Sequence, residues 1–192
     1  ARDILNRLNE VSFNAVLLFN KGLFALLSDP AFPLPLTPVE RLVIRRHLPW
    51  TRLLADQRTD VDGRVVDLLP YALANQESLV IKPTNDYGGR GVILGWECDQ
   101  QAWEAALRSG LQTPSIVQRR VPIPEAVFPT MVGGQLDLSP RLVDVDPYVW
   151  GCAEIEGSGV RLCSDRTMLA APRVLDEGIV DLATGDQGPE VE

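Results

Sequence analysis

The sequence predicts an α+β fold, and three observations predict it. Residues 1–76 are dominated by apolar side chains at helical spacing. Residues 77–124 switch to short β-rich runs, LVIKP, GVILGW and SIVQRRV, around a single helix. Residues 125–172 carry longer β-rich runs joined by glycine turns, so their strands are expected to be largely antiparallel. With 192 residues and 45% hydrophobic content, the chain can bury a core as one domain or as two small lobes.

The elements follow in order. From Val11 to Ser28, Phe13, Val16, Leu17, Phe24 and Leu27 recur at helical spacing, and SDP stops the helix. Residues 30–38 hold four of the fifteen prolines and read as an extended connector. Thr37 then stands as an N-cap, with Pro38 first and Glu40 third in a helix that runs to about His47. Pro49–Arg64 reads as a surface segment with a turn at VDG, and Val65–Asn75 as a short helix with Asp67 near its start. After LVIKP come a glycine loop, the strand GVILGW, a helix over Gln100–Ser109 and the strand SIVQRRV. VGGQ marks a hairpin turn, and RLVDVDPYVWG and CAEIEGSGVRLC with a turn at EGSG predict antiparallel strands. The segment from Leu175 to Glu192 is acidic, lacks aromatics and reads as a frayed tail, so residues 173–192 form a last division of the chain.

Composition narrows the function. No run of eighteen apolar residues occurs, and Asn20, Lys21 and Gly22 break the apolar stretch near Val16–Leu27, so no membrane partner is expected. Residues 1–30 lack the order of a secretory signal, and the chain opens on Ala, which points to a piece of something longer. Cys98, Cys152 and Cys163 are odd in number and lack CxxC spacing, so a reducing, cytoplasmic setting fits best. The net charge of −8 argues against a nucleic-acid partner, though a local basic pocket is compatible with it. His47 is the single histidine; at a helix C-terminus it complements the dipole, which leaves a hydrolase triad without support. Trp50, Trp96, Trp103 and Trp150 read as packing residues, with PWTR a second candidate for lining a cleft.

The chemistry concentrates in LVIKPTNDYGGRGVILGWE, residues 79–97. A glycine loop between two strands turns backbone N–H groups toward one point without interference from Cβ, as a phosphate chain requires. No GK[ST] follows it and no helix follows it, so it is neither a P-loop nor a dinucleotide fingerprint; HRD and DFG are absent too. Of the 18 basic residues only Lys21 and Lys82 are lysine. Where arginine has taken nearly every ordinary position, lysine is expected to persist where a compact point charge is needed, as on a phosphate oxygen in a cramped pocket. Lys82 ends a strand that would otherwise bury an unpartnered charge, so it needs a partner. Asp86 beside the loop fits an Asx-type turn better than a ligand role. Asp144 and Asp146 lie two apart on one strand face, where they form either a solvated pair or the ligands of a cation such as Mg²⁺.

Five passages, FNKGLFALLSD, RRHLPWTR, LVIKPTNDYGGRGVILGWE, SIVQRRVPIPE and LVDVDPYVWG…GVRL, resemble the circularly permuted ATP-grasp family in order over roughly residues 11–168. That family includes bacterial ligase-like proteins and, more distantly, glutathionylspermidine synthase. The resemblance implies two α+β lobes with a nucleotide cleft between them, ATP and Mg²⁺ as cofactors, and ATP-dependent joining of a carboxylate to an amine through an acyl-phosphate. The partners it implies are small-molecule acids and amines, or a peptide. It implies phosphate contacts from Lys21 and Lys82, a cover over the phosphates from Tyr87, Gly88, Gly89, Arg90 and Gly91, and an adenine and ribose hinge at Val117, Gln118, Arg119 and Val121. Arg161 matches a late-strand arginine that offsets γ-phosphate charge; a solvated strand-edge arginine is the other reading. The Glu-x-Asn metal set that the resemblance puts ahead of the first lysine has no counterpart in residues 1–20. A non-catalytic nucleotide-binding or partner-binding module therefore stands beside the ligase, and a scaffold with a tight hairpin stands third.

Overall fold

Antiparallel pairing runs through every described sheet, and its register decides which side chains share a face. The computed structural model of the chain describes residues 19–86, 88–150 and 154–163. The first part of the expected Val11–Ser28 helix, Tyr87 and the expected tail lie outside the described residues. Four α-helices and several small antiparallel sheets make a mixed α+β fold among them. The chain divides into two compact units at Val121 and Pro122.

In the first unit, helix α1 is Gly22–Ser28 and α2 is Pro38–His47. Strands β1 (Thr51–Leu53), β2 (Arg58–Val61) and β3 (Arg64–Asp67) follow, then α3 (Leu68–Ala74). Strands β4 (Leu79–Pro83) and β5 (Ile93–Leu94) flank the glycine loop, and α4 (Gln100–Gly110) leads into β6 (Ser115–Arg119). The main sheet has the order β1-β6-β4-β5. Ile81 and Val117 pair across it and join Leu54, Leu68, Ala72, Leu79, Trp103 and Leu107 in one apolar cluster. Trp103 is fully buried there and donates its Nε1–H to the Ala72 carbonyl at 3.0 Å, tying α4 to α3.

Local chemistry explains the helix and turn positions. Thr37 and Glu40 form a reciprocal capping box, with the Glu40 N–H donating to Thr37 Oγ1 at 3.3 Å and the Thr37 N–H to Glu40 Oε2 at 2.7 Å. Arg45, Arg46 and His47 occupy the last turn of α2, as its dipole favours. In VDG, Asp62 (φ 51°) and Gly63 (φ 83°) close the two-residue β2–β3 hairpin.

Three expectations need correction. The segment expected at the surface, Pro49–Arg64, contains β1, whose Thr51 and Arg52 are 0% and 1% exposed. Arg52 tolerates burial because its guanidinium is saturated: it donates to Thr59 Oγ1, to the Ser28 carbonyl at 3.2 Å and to the Asp60 carbonyl at 2.9 Å, and faces Asp29 at 3.5 Å. β1 pairs with β6, so stretches of chain on both sides of position 76 contribute strands to one sheet. The helix expected from Val65 begins only at Leu68, since Val65–Asp67 pair with β2.

The second unit holds β7 (Glu125–Val127), β8 (Thr130–Val132), β9 (Gln135–Asp137), β10 (Pro140–Trp150) and β11 (Glu154–Cys163). Gly133 (φ 56°) and Gly134 (φ 78°) form the expected VGGQ turn between β8 and β9. A third correction falls here: EGSG is no turn, because β11 continues through it. Ile155 pairs with Val149 and Ser158 with Pro147, so Glu156 and Gly157 together oppose Tyr148 as a β-bulge, with Gly157 at φ 91°.

Candidate functional site

Asn20 sets up the approach of the first lysine. Its Oδ1 accepts the Gly22 N–H at 2.8 Å, and a Cβ on Gly22 would lie 2.8 Å from that same oxygen, so a larger residue disturbs the turn. Lys21 is thereby pressed against the base of the glycine loop. Its backbone N–H donates to the Thr84 carbonyl at 2.9 Å, and its ammonium donates to the Asp86 carbonyl. The ammonium also lies 5.3 Å from the centre of the Phe19 ring.

Lys82 reaches the same neighbourhood from the sheet. Register puts Val80, Lys82, Ile116, Gln118 and Thr51 on one face, with Ile81 and Val117 turned to the apolar cluster on the other. The Lys82 ammonium donates to Gln118 Oε1 at 2.8 Å, Gln118 Nε2 donates to Thr51 Oγ1 at 2.8 Å, and the Thr51 hydroxyl donates to the Pro49 carbonyl at 2.9 Å. Burial holds the Lys82 ammonium below its ordinary pKa, and the charge of Lys21 adds to that effect. The two lysines of the chain, 61 positions apart, thus sit close enough to repel. Among the described residues neither has an ion-pair partner.

Between β4 and β5 the loop turns on Gly88, Gly89 and Gly91, with φ of 67°, 66° and 66°. Gly91 also needs its hydrogen, since a Cβ would lie 2.7 Å from the Pro83 ring. Arg90 between them is exposed and has an interaction partner of its own.

The hinge residues fare differently. Val117 does not wall the Lys82 face: its side chain is 0% exposed within the apolar cluster. Arg119 shares that opposite face and is clamped on Asp62, with Nη1 at 3.2 Å and Nη2 at 2.7 Å from its two oxygens. That bond raises the Arg119 pKa and lowers that of Asp62. Val121 lies beyond the end of β6 and is exposed. Only Gln118 among the four lies on the face of Lys82. Thr51 and the Pro49 carbonyl complete the polar line; the sequence signalled them only through PWTR, and their link to Gln118 left no local trace. Of the tryptophans, Trp103 is core, Trp50 packs edge-on against Tyr71 at 5.7 Å, and Arg120 stacks 4.1 Å from Trp96. Trp150 is exposed rather than packed.

In the second unit, register sets Asp144 opposite Arg161, and Arg161 Nη2 bonds Asp144 Oδ2 and lies 3.3 Å from Asp146 Oδ2. The arginine therefore supplies the cation that separates the two carboxylates. Among the described residues no group of three or more His, Cys, Asp or Glu is placed to hold a metal ion. Two carboxylates already shared with a guanidinium do not fit a Mg²⁺ site, which needs near-octahedral oxygen ligation. No helix among the described residues is long and apolar enough to cross a membrane. No family model matches the chain, and no curated protein matches it either.

Proposed function

We propose that the first unit binds the phosphate chain of a nucleotide, ATP by the family resemblance, and that the chain is the nucleotide-binding part of an ATP-dependent carboxylate–amine ligase. One observation carries this reading: the two lysines of an arginine-rich, acidic chain converge beside a glycine loop, and neither is in a described ion pair. The Lys82 ammonium, held beside Lys21 at a cost in solvation and repulsion, favours an anion that relieves it. A flexible stem and point charge suit that task better than a guanidinium fork.

ATP would supply the phosphoryl group that activates the substrate carboxylate for attack by an amine. Lys21 and Lys82 would hold its phosphates, and Gly88, Gly89 and Gly91 leave the loop backbone free of side chains for close approach. Nothing in this reading is routed through a metal at Asp144 and Asp146.

Titration with Mg-ATP and with tripolyphosphate tests it. The Lys82→Met variant is expected to lose at least tenfold in affinity for both; affinity within about threefold of the unsubstituted protein would sink the assignment. A non-catalytic nucleotide-binding module is the second reading, favoured by the way Arg161 already neutralises Asp144 and Asp146. Release of ADP in the presence of acids and amines supports the ligase; binding without turnover supports the module.

A further inference from the structure

We infer that Gln118 and Thr51 are positioning residues of the anion site: a buried relay anchored on the Pro49 carbonyl holds the Lys82 ammonium in place while leaving its charge unneutralised. The functional meaning of the relay rests on reading Lys82 as a phosphate ligand; its geometry does not.

The direction of the relay is fixed at one end. A backbone carbonyl can only accept, so the single Thr51 hydroxyl proton, in a residue 0% exposed, points to the Pro49 oxygen. The lone pairs of Thr51 then face Gln118, which must present its NH₂ to them. Its carbonyl oxygen is left facing Lys82, so the amide orientation is dictated by the chain. Gln118 is 6% exposed in the central strand β6, paired on one side to Thr51 and on the other to Val80, which leaves it little room to turn.

The chemical type of the acceptor matters as much as its place. An amide oxygen bonds an ammonium without cancelling its charge, whereas a carboxylate of nearly the same shape would form an ion pair. Glutamine here orients Lys82 and keeps it available to an external anion. Among the described residues the charged group acting on Lys82 is Lys21, across from it at the start of α1.

Having only two lysines makes the test direct. In full-length protein labelled with ¹³C-lysine, two Nζ-linked signals are expected, assigned through Lys21→Arg, and the Lys82 titration is read against pH. Gln118→Glu is expected to raise the Lys82 midpoint by at least one unit and to weaken tripolyphosphate binding at neutral pH by at least tenfold. Thr51→Val, which removes the anchor at constant shape, is expected to move the Lys82 signal and weaken binding about threefold or more, with Thr51→Ser restoring both. A Lys82 midpoint within 0.3 units, roughly twofold in proton affinity, for both Gln118→Glu and Thr51→Val overturns the relay even if tripolyphosphate binds. Displaced midpoints with no tripolyphosphate binding by the unsubstituted protein would uphold the relay and overturn the phosphate reading instead.

Discussion

Lys82 carries its charge where the fold penalises it, and that penalty has a pH signature. Its folded pKa lies below the ordinary lysine value of 10.5, with burial the larger cause and Lys21 the smaller. Between the depressed folded value and 10.5 the unfolded chain binds more protons than the folded one, so this group makes stability rise with pH across that window. Below the window the penalty is fully present, and above it the penalty is gone. Denaturant unfolding at stepped alkaline pH should therefore show the stability of the unsubstituted protein rising relative to Lys82→Met. A constant difference would mean that Lys82 titrates normally. Under the phosphate reading the same window would govern binding: a bound phosphate would return the proton to Lys82, so affinity should fall as pH climbs through it. At this scale the sequence exposed the two lysines by their rarity. It hid Thr51, whose partner Gln118 lies 67 positions away, because hydrogen bonds between remote strands leave no local pattern.

Among the elements, those ruled by local chemistry were legible. The Thr37–Glu40 box, the VDG and VGGQ turns and the α4 helix depend on residues within a few positions of one another. Strand β1 was not legible, since TRL is short and polar and owes its burial to Ser28, Asp29, Thr59 and Asp60. The bulge at Gly157 looks like a turn in the sequence because glycine marks both. GVILGW has the composition of a full strand, yet β5 stops at Leu94 and Gly95–Glu97 coil into a 3₁₀ turn. The cause is contact: a Cβ on Gly95 would lie 2.0 Å from the Gln76 carbonyl oxygen and 2.8 Å from that of Leu79. Gln76 Nε2 also donates to the Gly95 and Cys98 carbonyls at 2.8 and 2.6 Å, locking the two turns together. Both obstructing atoms are backbone, so neither can swing aside. Gly95→Ala should therefore destabilise the first unit by about 3 kcal/mol or more, the upper end for overpacking, read as a lowered denaturation midpoint. A loss under about 1 kcal/mol would show that the 3₁₀ pair is not rigid.

For the molecule as a whole, the α+β class was legible because helical and strand periodicities fall in separate stretches of the chain. The place of β1 in the sheet of the glycine-loop strands was not, since no local pattern announces that pairing. The proposed roles divide between the two units. The first unit contains everything the phosphate reading needs, while Arg161, the residue the family resemblance assigns to transition-state charge, belongs to the second. There its Nη2 bonds Asp144 and lies near Asp146, while the side chain stays half-exposed. A contact made only in the transition state contributes when charge develops and little in the ground state. Under the ligase reading, Arg161→Gln should leave nucleotide affinity within about threefold and lower ADP release at saturating ATP by about a hundredfold or more, as loss of one transition-state donor does. Asp144→Asn loosens the competing pair and should not reproduce that loss. If Arg161→Gln turns over within about threefold of the unsubstituted protein, Arg161 has no part in the chemistry and its bond to Asp144 serves the β10–β11 ribbon alone.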